Sequence, residues 1–170
     1  MSRIQPLLRI PVGVAIERRK AKSVWTDFVW RPLAVLPGIP DAAPWTTLDS
    51  NSDRTNFYGG AAEIALYRSD TSGYRDNLAT GAPLLWVVLR PSGCEPPYEI
   101  VAVTAEPGEG ETFTESATNL VEAVPMPEPI GAVIAKFVAE HHVERPFVKR
   151  KRDRASAEAM ARRTPSKDRQ

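Results

Sequence analysis

The sequence predicts an α+β fold, in which a mostly antiparallel, curved or barrel-like sheet carries a C-terminal helix packed on it. Sixteen prolines in 170 residues limit long helices and favour short elements joined by turns. Several short apolar runs have the length and alternation of strands, and the strongest helical periodicity falls at residues 129–142. We expect one domain over residues 1–148, followed by a basic, disordered tail over residues 149–170.

The first two strands are predicted from two apolar runs. Residues 12–16 alternate between large apolar and smaller side chains, as in a strand with one buried face, and the charged residues 17–20 are expected to lead it into solvent. Residues 30–36 are almost all apolar and too few for a helix, so a buried strand is preferred. Pro32 places part of this strand at a sheet edge or a bulge.

A hairpin is predicted around Gly59-Gly60, with strands at residues 55–58 and 62–68. Before it, the turn-rich segment 37–44 and the polar segment 49–54 are expected to be loops.

The clearest strand pair is predicted at residues 84–90 and 98–105. Segment 91–97, which is rich in proline and glycine, is expected to connect them as a hairpin loop. A short helix is predicted ahead of this pair, at residues 72–78.

Three elements complete the predicted fold. The capping-box spacing of Thr112 and Glu115 predicts a helix over residues 112–120, and residues 121–124 form a last strand. Pro129 suits the first position of the C-terminal helix. One face of that helix carries the residues expected to pack on the sheet: Ile130, Val133, Ile134, Phe137, Val138 and His141.

The net charge of +1 hides an acidic body and a basic tail. Residues 1–142 hold 12 Lys and Arg against 17 Asp and Glu, a net charge of −5, and residues 143–170 hold 10 against 4, a net charge of +6. No stretch has the apolar length of a signal peptide or a membrane span. The single cysteine excludes an internal disulfide, which fits a reducing compartment. We expect a cytoplasmic protein without membrane association.

No catalytic or metal-binding residue is predicted, and no cofactor is expected. His141 and His142 are adjacent, and neighbouring residues on a helix point about 100° apart rather than toward one metal ion. Cys94 lies between a glycine and an acidic residue, which favours a bystander thiol over a nucleophile. Phosphate-binding glycine loops and the motifs G-x-S-x-G, HExxH and CxxC are also missing. Whether the protein is an enzyme stays open, and we favour a protein that is not.

The segment 17–38 is the strongest candidate for function, because it sets three consecutive cations and two tryptophans ahead of an apolar run. In one interpretation these side chains form a cation–π surface for an anionic or peptide partner. In the other, the tryptophans fill the core and the arginines stack over them from outside. The dipeptide Tyr74-Arg75 repeats the pairing of aromatic and cation. The candidate binding residues in this set are Arg18, Arg19, Trp25, Trp30, Arg31, Tyr74 and Arg75.

A basic run in the tail adds Lys149, Arg150, Lys151 and Arg152 to the candidate binding residues. Such a run can neutralise phosphates and give salt-sensitive binding of nucleic acid. Phe147 is the only aromatic residue beyond Val143, so the tail has little with which to stack on bases. A solubilising tail, or one that docks on an acidic protein, is therefore favoured over nucleic-acid binding.

Several segments, spread from about residue 10 to residue 154, carry a family resemblance. They are Val12-Gly13-Val14, Glu17-Arg18-Arg19-Lys20, Trp25, Trp30-Arg31-Pro32, Val35-Leu36-Pro37-Gly38, Pro44-Trp45, Tyr74-Arg75, Asn77-Leu78, Val87-Val88-Leu89-Arg90, residues 121–127, His141-His142-Val143 and residues 146–154. In these segments the chain resembles a bacterial family of unknown function that is encoded beside genes of molybdenum-dependent formate dehydrogenases.

The resemblance implies a context and transfers no catalytic residue. It implies a non-enzymatic accessory protein for the assembly or maturation of a formate dehydrogenase, with a subunit of that enzyme or another accessory protein as its partner. An alternative is an enzyme that makes or matures the molybdopterin guanine dinucleotide cofactor, with Arg18, Arg19 and Arg31 holding phosphates. The sequence lacks the glycine-rich, lysine-containing loop of nucleotide transferases. Nucleic-acid binding through the tail is the third hypothesis.

Overall fold

Within residues 5–144, which the computed structural model describes, seven strands form two antiparallel sheets. The first sheet has the order β2-β1-β4-β3, with β1 (Leu8–Lys20), β2 (Phe28–Pro37), β3 (Thr46–Ser50) and β4 (Arg54–Leu66). The second has the order β6-β5-β7, with β5 (Leu84–Pro91), β6 (Tyr98–Thr104) and β7 (Leu120–Pro125). The helices are α1 (Thr71–Ala79), which follows a 3-10 turn, α2 (Pro107–Thr114) and α3 (Glu128–His141).

The two sheets surround one apolar core, as the barrel-like prediction implies, but they do not close into a barrel. β4 lies beside β6 and β2 lies beside β7, yet no ladder of hydrogen bonds joins either pair in this part of the chain. Alternate side chains of β1 and β5 point into the space between the sheets. These core residues are Ile10, Val12, Val14, Ile16, Leu85, Val87 and Leu89.

The predicted first strand is confirmed, but its charged end does not simply enter solvent. β1 is a central strand that pairs with β2 and β4 as far as Arg19, so its last residues are flanked on both sides. Glu17 is only 1% exposed as a result. Arg18 is half-buried, and Arg19 and Lys20 are exposed.

The prediction that Pro32 sits at an edge or a bulge is confirmed on both counts. β2 is an edge strand of the first sheet. Ala15 pairs with Ala34 and Ile16 pairs with Pro32, so Leu33 is the extra residue of a bulge. A proline is tolerated there because its missing N–H interrupts no central ladder.

The hairpin predicted around Gly59-Gly60 is wrong, because both glycines lie inside the single strand β4. Val14 pairs with Gly60 and Ala15 pairs with Tyr58, which leaves Gly59 as the extra residue of a bulge. Gly60 has φ +131°, a value that favours glycine. The glycine pair therefore bends one long strand instead of ending it.

The helix predicted over residues 112–120 is wrong, because α2 begins five residues earlier. Pro107 occupies its first turn, and the Glu106 carboxylate caps it by accepting a hydrogen bond from the Glu109 backbone N–H at 2.6 Å. Strand β3 was not predicted, since its five residues are all exposed and show no alternation. It covers the first two residues of the expected loop 49–54 and the three residues before them.

The remaining predicted elements are confirmed: α1, the antiparallel pair β5–β6, strand β7 and helix α3. On α3, Ile130, Ile134 and Phe137 are buried in the core, whereas Val133 is 38% exposed. No helix among the described residues is long and apolar enough to cross a bilayer.

The three helices gather at one end of the sheets. The buried Asn77 amide on α1 donates to the carbonyls of Leu84 and Ala105 at 2.8 and 2.9 Å and accepts from the Leu84 N–H at 3.0 Å. These bonds fix α1 against the start of β5 and the residue after β6. The 21–27 turn and the 91–97 hairpin loop lie at the opposite end of the sheets, and this end contains the candidate site.

Candidate binding site at one end of the sheets

The charged end of β1 distributes its side chains between the two faces of the first sheet. In the register of the sheet, Arg18 lies opposite Trp30, and Glu17 lies opposite Arg31. Because successive side chains of a strand point to opposite faces, Arg18 and Trp30 share one face. Glu17, Arg19 and Arg31 share the other. The predicted Arg/Trp block thus forms two separate surfaces.

An open groove of about 750 Å³ occupies the first of these faces, and we call it the aromatic groove. Strands β1, β2 and β4 supply one wall, and the 38–45 connection and the 91–97 loop supply the other. Its lining residues are Arg18, Phe28, Trp30, Pro44, Trp45, Phe57, Glu95, Pro96 and Pro97.

Trp30 is the central ring of the aromatic groove. Its ring stacks on Phe57 with a centroid distance of 5.9 Å and an interplanar angle of 22°, and it meets Trp45 edge to face at 5.9 Å. Tyr98 of β6 lies 5.7 Å away on another side. Trp30 is half-buried and packs against the core, so both interpretations of this tryptophan hold in part: it supports the core and lines a surface.

Arg18 places a positive charge among these rings. Its Cζ atom lies 4.4 Å from the centroid of Phe28 and 5.3 Å from that of Phe57, within the range of a cation–π interaction. No carboxylate of the described residues lies within 4 Å of the guanidinium. The aromatic groove therefore offers apolar surface beside a cation that has no acidic partner in this part of the chain.

Trp45 is held over the aromatic groove by a strained backbone. Its φ of +70° is unfavourable for a bulky side chain. Its N–H donates a hydrogen bond to the Tyr58 carbonyl, which fixes the connection to β4. The indole then lies 5.6 Å from the Phe57 ring. Strain of this kind often accompanies a functional surface.

The opposite face carries an arginine cluster, formed by Arg19, Arg31 and Arg54 around Glu17. The Nε atoms of Arg31 and Arg19 lie 2.9 and 3.2 Å from the same Glu17 oxygen, Oε1. Nη1 of Arg54 lies 3.9 Å from the other oxygen, Oε2. Burial alone would raise the pKa of Glu17, but the hydrogen bond and charge of Arg31 and the charge of Arg19 outweigh it, so this pKa is lowered.

The other predicted binding residues lie elsewhere. Trp25 is 93% exposed in the turn between β1 and β2 and does not line the aromatic groove. Tyr74 of α1 is buried against Phe137, its hydroxyl accepts from the Tyr67 N–H at 3.1 Å, and burial raises its pKa. Arg75 contacts Glu144 at 3.1 Å. Both α1 residues thus belong to the helical end. Lys149, Arg150, Lys151 and Arg152 lie outside the described residues.

The histidines and the cysteine have structural surroundings. Nδ1 of His142 lies 3.1 Å from the Thr71 hydroxyl, and its Nε2 lies 3.0 Å from Nη1 of Arg75. The His141 ring packs on Phe137 with a centroid distance of 4.5 Å. Cys94 is exposed in the 91–97 loop. Among residues 5–144, no group of three or more His, Cys, Asp and Glu side chains is placed to hold a metal ion.

Nine residues of the two surfaces were not among the predicted binding residues: Glu17, Phe28, Pro44, Trp45, Arg54, Phe57, Glu95, Pro96 and Pro97. Trp45, Phe57 and Pro96 reach the aromatic groove through long-range contacts that local patterns do not reveal, and Arg54 was assigned to a loop. One signal was available in the sequence. Glu17 and Arg19 are two residues apart, so a continuation of the predicted strand 12–16 through them would have placed both on one face.

A family model described as "Protein of unknown function (DUF3305)" matches residues 11–151. The chain belongs to the DUF3305 family. The matched region runs from β1 through α3, so the aromatic groove and the arginine cluster both lie within the DUF3305 region. No curated protein and no solved structure matches the chain.

Proposed function

We propose that the protein is a non-enzymatic accessory protein that binds an apolar segment of a partner protein in the aromatic groove. The observation that carries this proposal is the groove itself: four large rings and three prolines line an open surface beside Arg18. Aromatic-lined grooves bind extended, proline-containing segments, and buried aromatic anchors contribute most of the binding energy at such sites. A carboxylate next to the apolar residues of the partner would pair with Arg18.

The surface beside the aromatic groove supports a macromolecular partner. Val24 and Trp25 are each 93% exposed, and both lie in the turn that leads into Phe28 of the groove. Clustered exposed apolar side chains on a soluble domain mark interaction sites. A small ligand would need no such border.

The identity of the partner rests on the resemblance to a family encoded beside formate dehydrogenase genes. We propose a subunit of a molybdenum-dependent formate dehydrogenase, or another accessory protein of its assembly. On this proposal the protein acts in the cytoplasm, where such an enzyme would be assembled.

The test is calorimetric titration of the full chain with purified formate dehydrogenase subunits. Phe28→Ala removes a groove ring that is already 38% exposed and should weaken binding at least about five-fold. The matched control is Phe113→Ala, which removes a half-buried ring on α2 outside the groove and should leave the affinity unchanged. The proposal is wrong if no dehydrogenase subunit binds the protein and deletion of the gene leaves formate oxidation unchanged.

The competing hypothesis is a maturation enzyme that acts on a molybdopterin nucleotide. It requires Arg18, Arg19 and Arg31 to hold the phosphates of one ligand, but the strand register points Arg18 away from the other two. A thermal-shift assay with guanine nucleotides and molybdopterin analogues separates the hypotheses. A clear rise of the melting temperature would favour the enzyme.

The third hypothesis, nucleic-acid binding through the tail, concerns residues outside the described part of the chain. It predicts an affinity that falls steeply with salt and is abolished by truncation at Val143. Retention of oligonucleotide binding by the truncated chain would exclude the tail as its source.

A further inference from the structure

We propose that the arginine cluster binds the carboxylates of an acidic protein segment. The cluster lies on the sheet face opposite the aromatic groove, so this is a second surface and its binding does not depend on the groove. Three observations support it: the free edges of the guanidinium groups, the uneven charge of the cluster, and the lack of aromatic contacts to it among residues 5–144.

The guanidinium groups leave their terminal nitrogens available. Arg31 and Arg19 approach Glu17 through Nε, at 2.9 and 3.2 Å, and Nη1 of Arg54 lies 3.9 Å from Glu17 Oε2, beyond hydrogen-bond distance. Within residues 5–144, no Nη atom of these three side chains donates a hydrogen bond. Each arginine therefore retains its paired Nη edge, which binds carboxylates with two parallel hydrogen bonds.

Glu17 orients the cluster without neutralising it. Three guanidinium groups surround one carboxylate, which leaves a surplus of two positive charges. The Glu17 side chain is 1% exposed, whereas those of Arg19, Arg31 and Arg54 are 52%, 48% and 42% exposed. The anionic centre is thus inside and the cationic groups are outside. Oε2 of Glu17 has no hydrogen-bond partner among the described residues, so Arg54 is held only by charge and can turn toward a ligand.

A protein carboxylate fits this face better than nucleic acid does. Phe28, Trp30 and Phe57 share the opposite face with Arg18, and no aromatic ring of residues 5–144 lies in cation–π contact with Arg19, Arg31 or Arg54. The described part of the cluster therefore offers no ring on which a base could stack. The body of the chain, residues 1–142, also carries a net charge of −5, which repels a long polyanion. A short run of Asp or Glu side chains needs only the local surplus of positive charge.

The test is titration of the ¹⁵N-labelled full chain with a hexaglutamate peptide, followed by NMR. We expect saturable shifts of the backbone amide signals of Glu17, Arg31 and Arg54, with an affinity that falls as salt is added. Arg54→Gln should weaken binding at this site at least about five-fold, since it removes one charged bidentate donor. Glu17 keeps its contacts with Arg19 and Arg31 in this variant, so the fold is preserved.

The matched control is Arg9→Gln, which removes the same charge at the other end of β1, where Arg9 pairs with the exposed Glu63. It should leave the shifts and affinity unchanged, as should Phe28→Ala in the aromatic groove. Shifts confined to residues 145–170, or equal affinities of Arg54→Gln and wild type, would overturn the proposal. So would a thymidine oligonucleotide that binds the same amides more tightly than hexaglutamate. Failure here leaves the Phe28 titration with the dehydrogenase subunits as a separate test of the proposed function.

Discussion

Glu17 shows how one buried acid changes the meaning of a cationic run. In the sequence it begins a charged stretch of four residues, and solvation of all four is the ordinary expectation. In the sheet it lies between β2 and β4, and the arginines at positions 19, 31 and 54 converge on it. The carboxylate is therefore part of the folded structure and should contribute to its stability in a pH-dependent way.

Substitution of Glu17 by Gln should reveal that contribution. At about pH 7 we expect a loss of about 1–3 kcal/mol in the free energy of unfolding, because a charged hydrogen-bonded acceptor is removed. The folded pKa of Glu17 lies below its unfolded value of about 4.3, so the contribution is complete above that value and disappears as the pH falls through the folded pKa. The difference in the free energy of unfolding between wild type and E17Q, measured by urea denaturation, should therefore become smaller at acidic pH.

Glu63 supplies the matched control for this prediction. It pairs with Arg9 at 3.1 Å, but both side chains are more than half exposed, and exposed pairs of this kind contribute little. Glu63→Gln should change stability by less than about 0.5 kcal/mol at any pH. If the difference in unfolding free energy between wild type and E17Q stays constant with pH, the pKa of Glu17 is not lowered in the folded protein and the prediction is wrong.

The two tryptophans of the predicted block show the limit of local patterns at this scale. Trp25 and Trp30 are five residues apart and chemically identical, yet one is 93% exposed and the other packs against the core. The difference arises because Trp30 lies on a paired strand, where Phe57 and Tyr98 arrive from distant parts of the chain. Sequence alone identified the residues but not their neighbours.

Gly59 is the extra residue of the bulge in strand β4, and this position has no room for a side chain. A Cβ atom at this position would lie 2.4 Å from Cδ1 of Ile16, which is fully buried and therefore has little room to move. Gly59→Ala should cost about 1–3 kcal/mol of stability through overpacking. Ile16→Val, which removes Cδ1, should cost about 0.5–1.5 kcal/mol alone.

A double-mutant cycle tests whether this contact is the cause. If the clash with Ile16 dominates, Gly59→Ala should cost less in the Ile16→Val background than in the wild type, with a coupling of at least about 0.5 kcal/mol. If the stability losses of the two substitutions, measured by chemical denaturation, simply add, then the loss caused by Gly59→Ala arises from the backbone of the bulge instead. Gly131→Ala on α3 is a useful control, since the nearest atom to its added Cβ is the Met126 sulfur at an ordinary 3.5 Å.

The elements themselves were predictable wherever the local signal was strong. Alternation identified β1, and helical periodicity with a proline at the start identified α3. The errors at Gly59-Gly60 and Thr112 came from motifs with two structural uses, a glycine pair that bends a strand and a threonine in the last turn of a helix. Pairing with β1 determines that the glycine pair lies inside a strand, and the cap at Glu106 determines where α2 begins. Neither feature can be read from the residues next to the motif.

The whole molecule is organised around one shared core. The core cluster takes residues from both sheets, from α1 and from α3, so neither sheet has an independent interior. We therefore expect the body to unfold in a single cooperative transition. In differential scanning calorimetry the ratio of calorimetric to van't Hoff enthalpy should be about one, and a ratio well above one would indicate two separately unfolding parts.

The separation of the helices from the aromatic groove was beyond local patterns, because it depends on the pairing of all seven described strands. It also provides a natural control, since Asn77 and the α1–α3 contacts lie at the opposite end from Trp30. Variants that loosen the helical end should change stability without changing affinity in the groove.

The edge-to-face pair of Trp30 and Trp45 also has an optical consequence. Two indoles 5.9 Å apart couple their electronic transitions, and the protein thus carries an intrinsic reporter in the groove. Entry of a partner segment would change the emission and the near-ultraviolet dichroism of this pair without any attached dye. Trp25, which is almost fully in solvent, and the half-buried Trp86 of β5 supply the background signal, and the emission of Trp25 can be quenched selectively with iodide. Binding in the groove can therefore be followed by tryptophan fluorescence and near-ultraviolet circular dichroism.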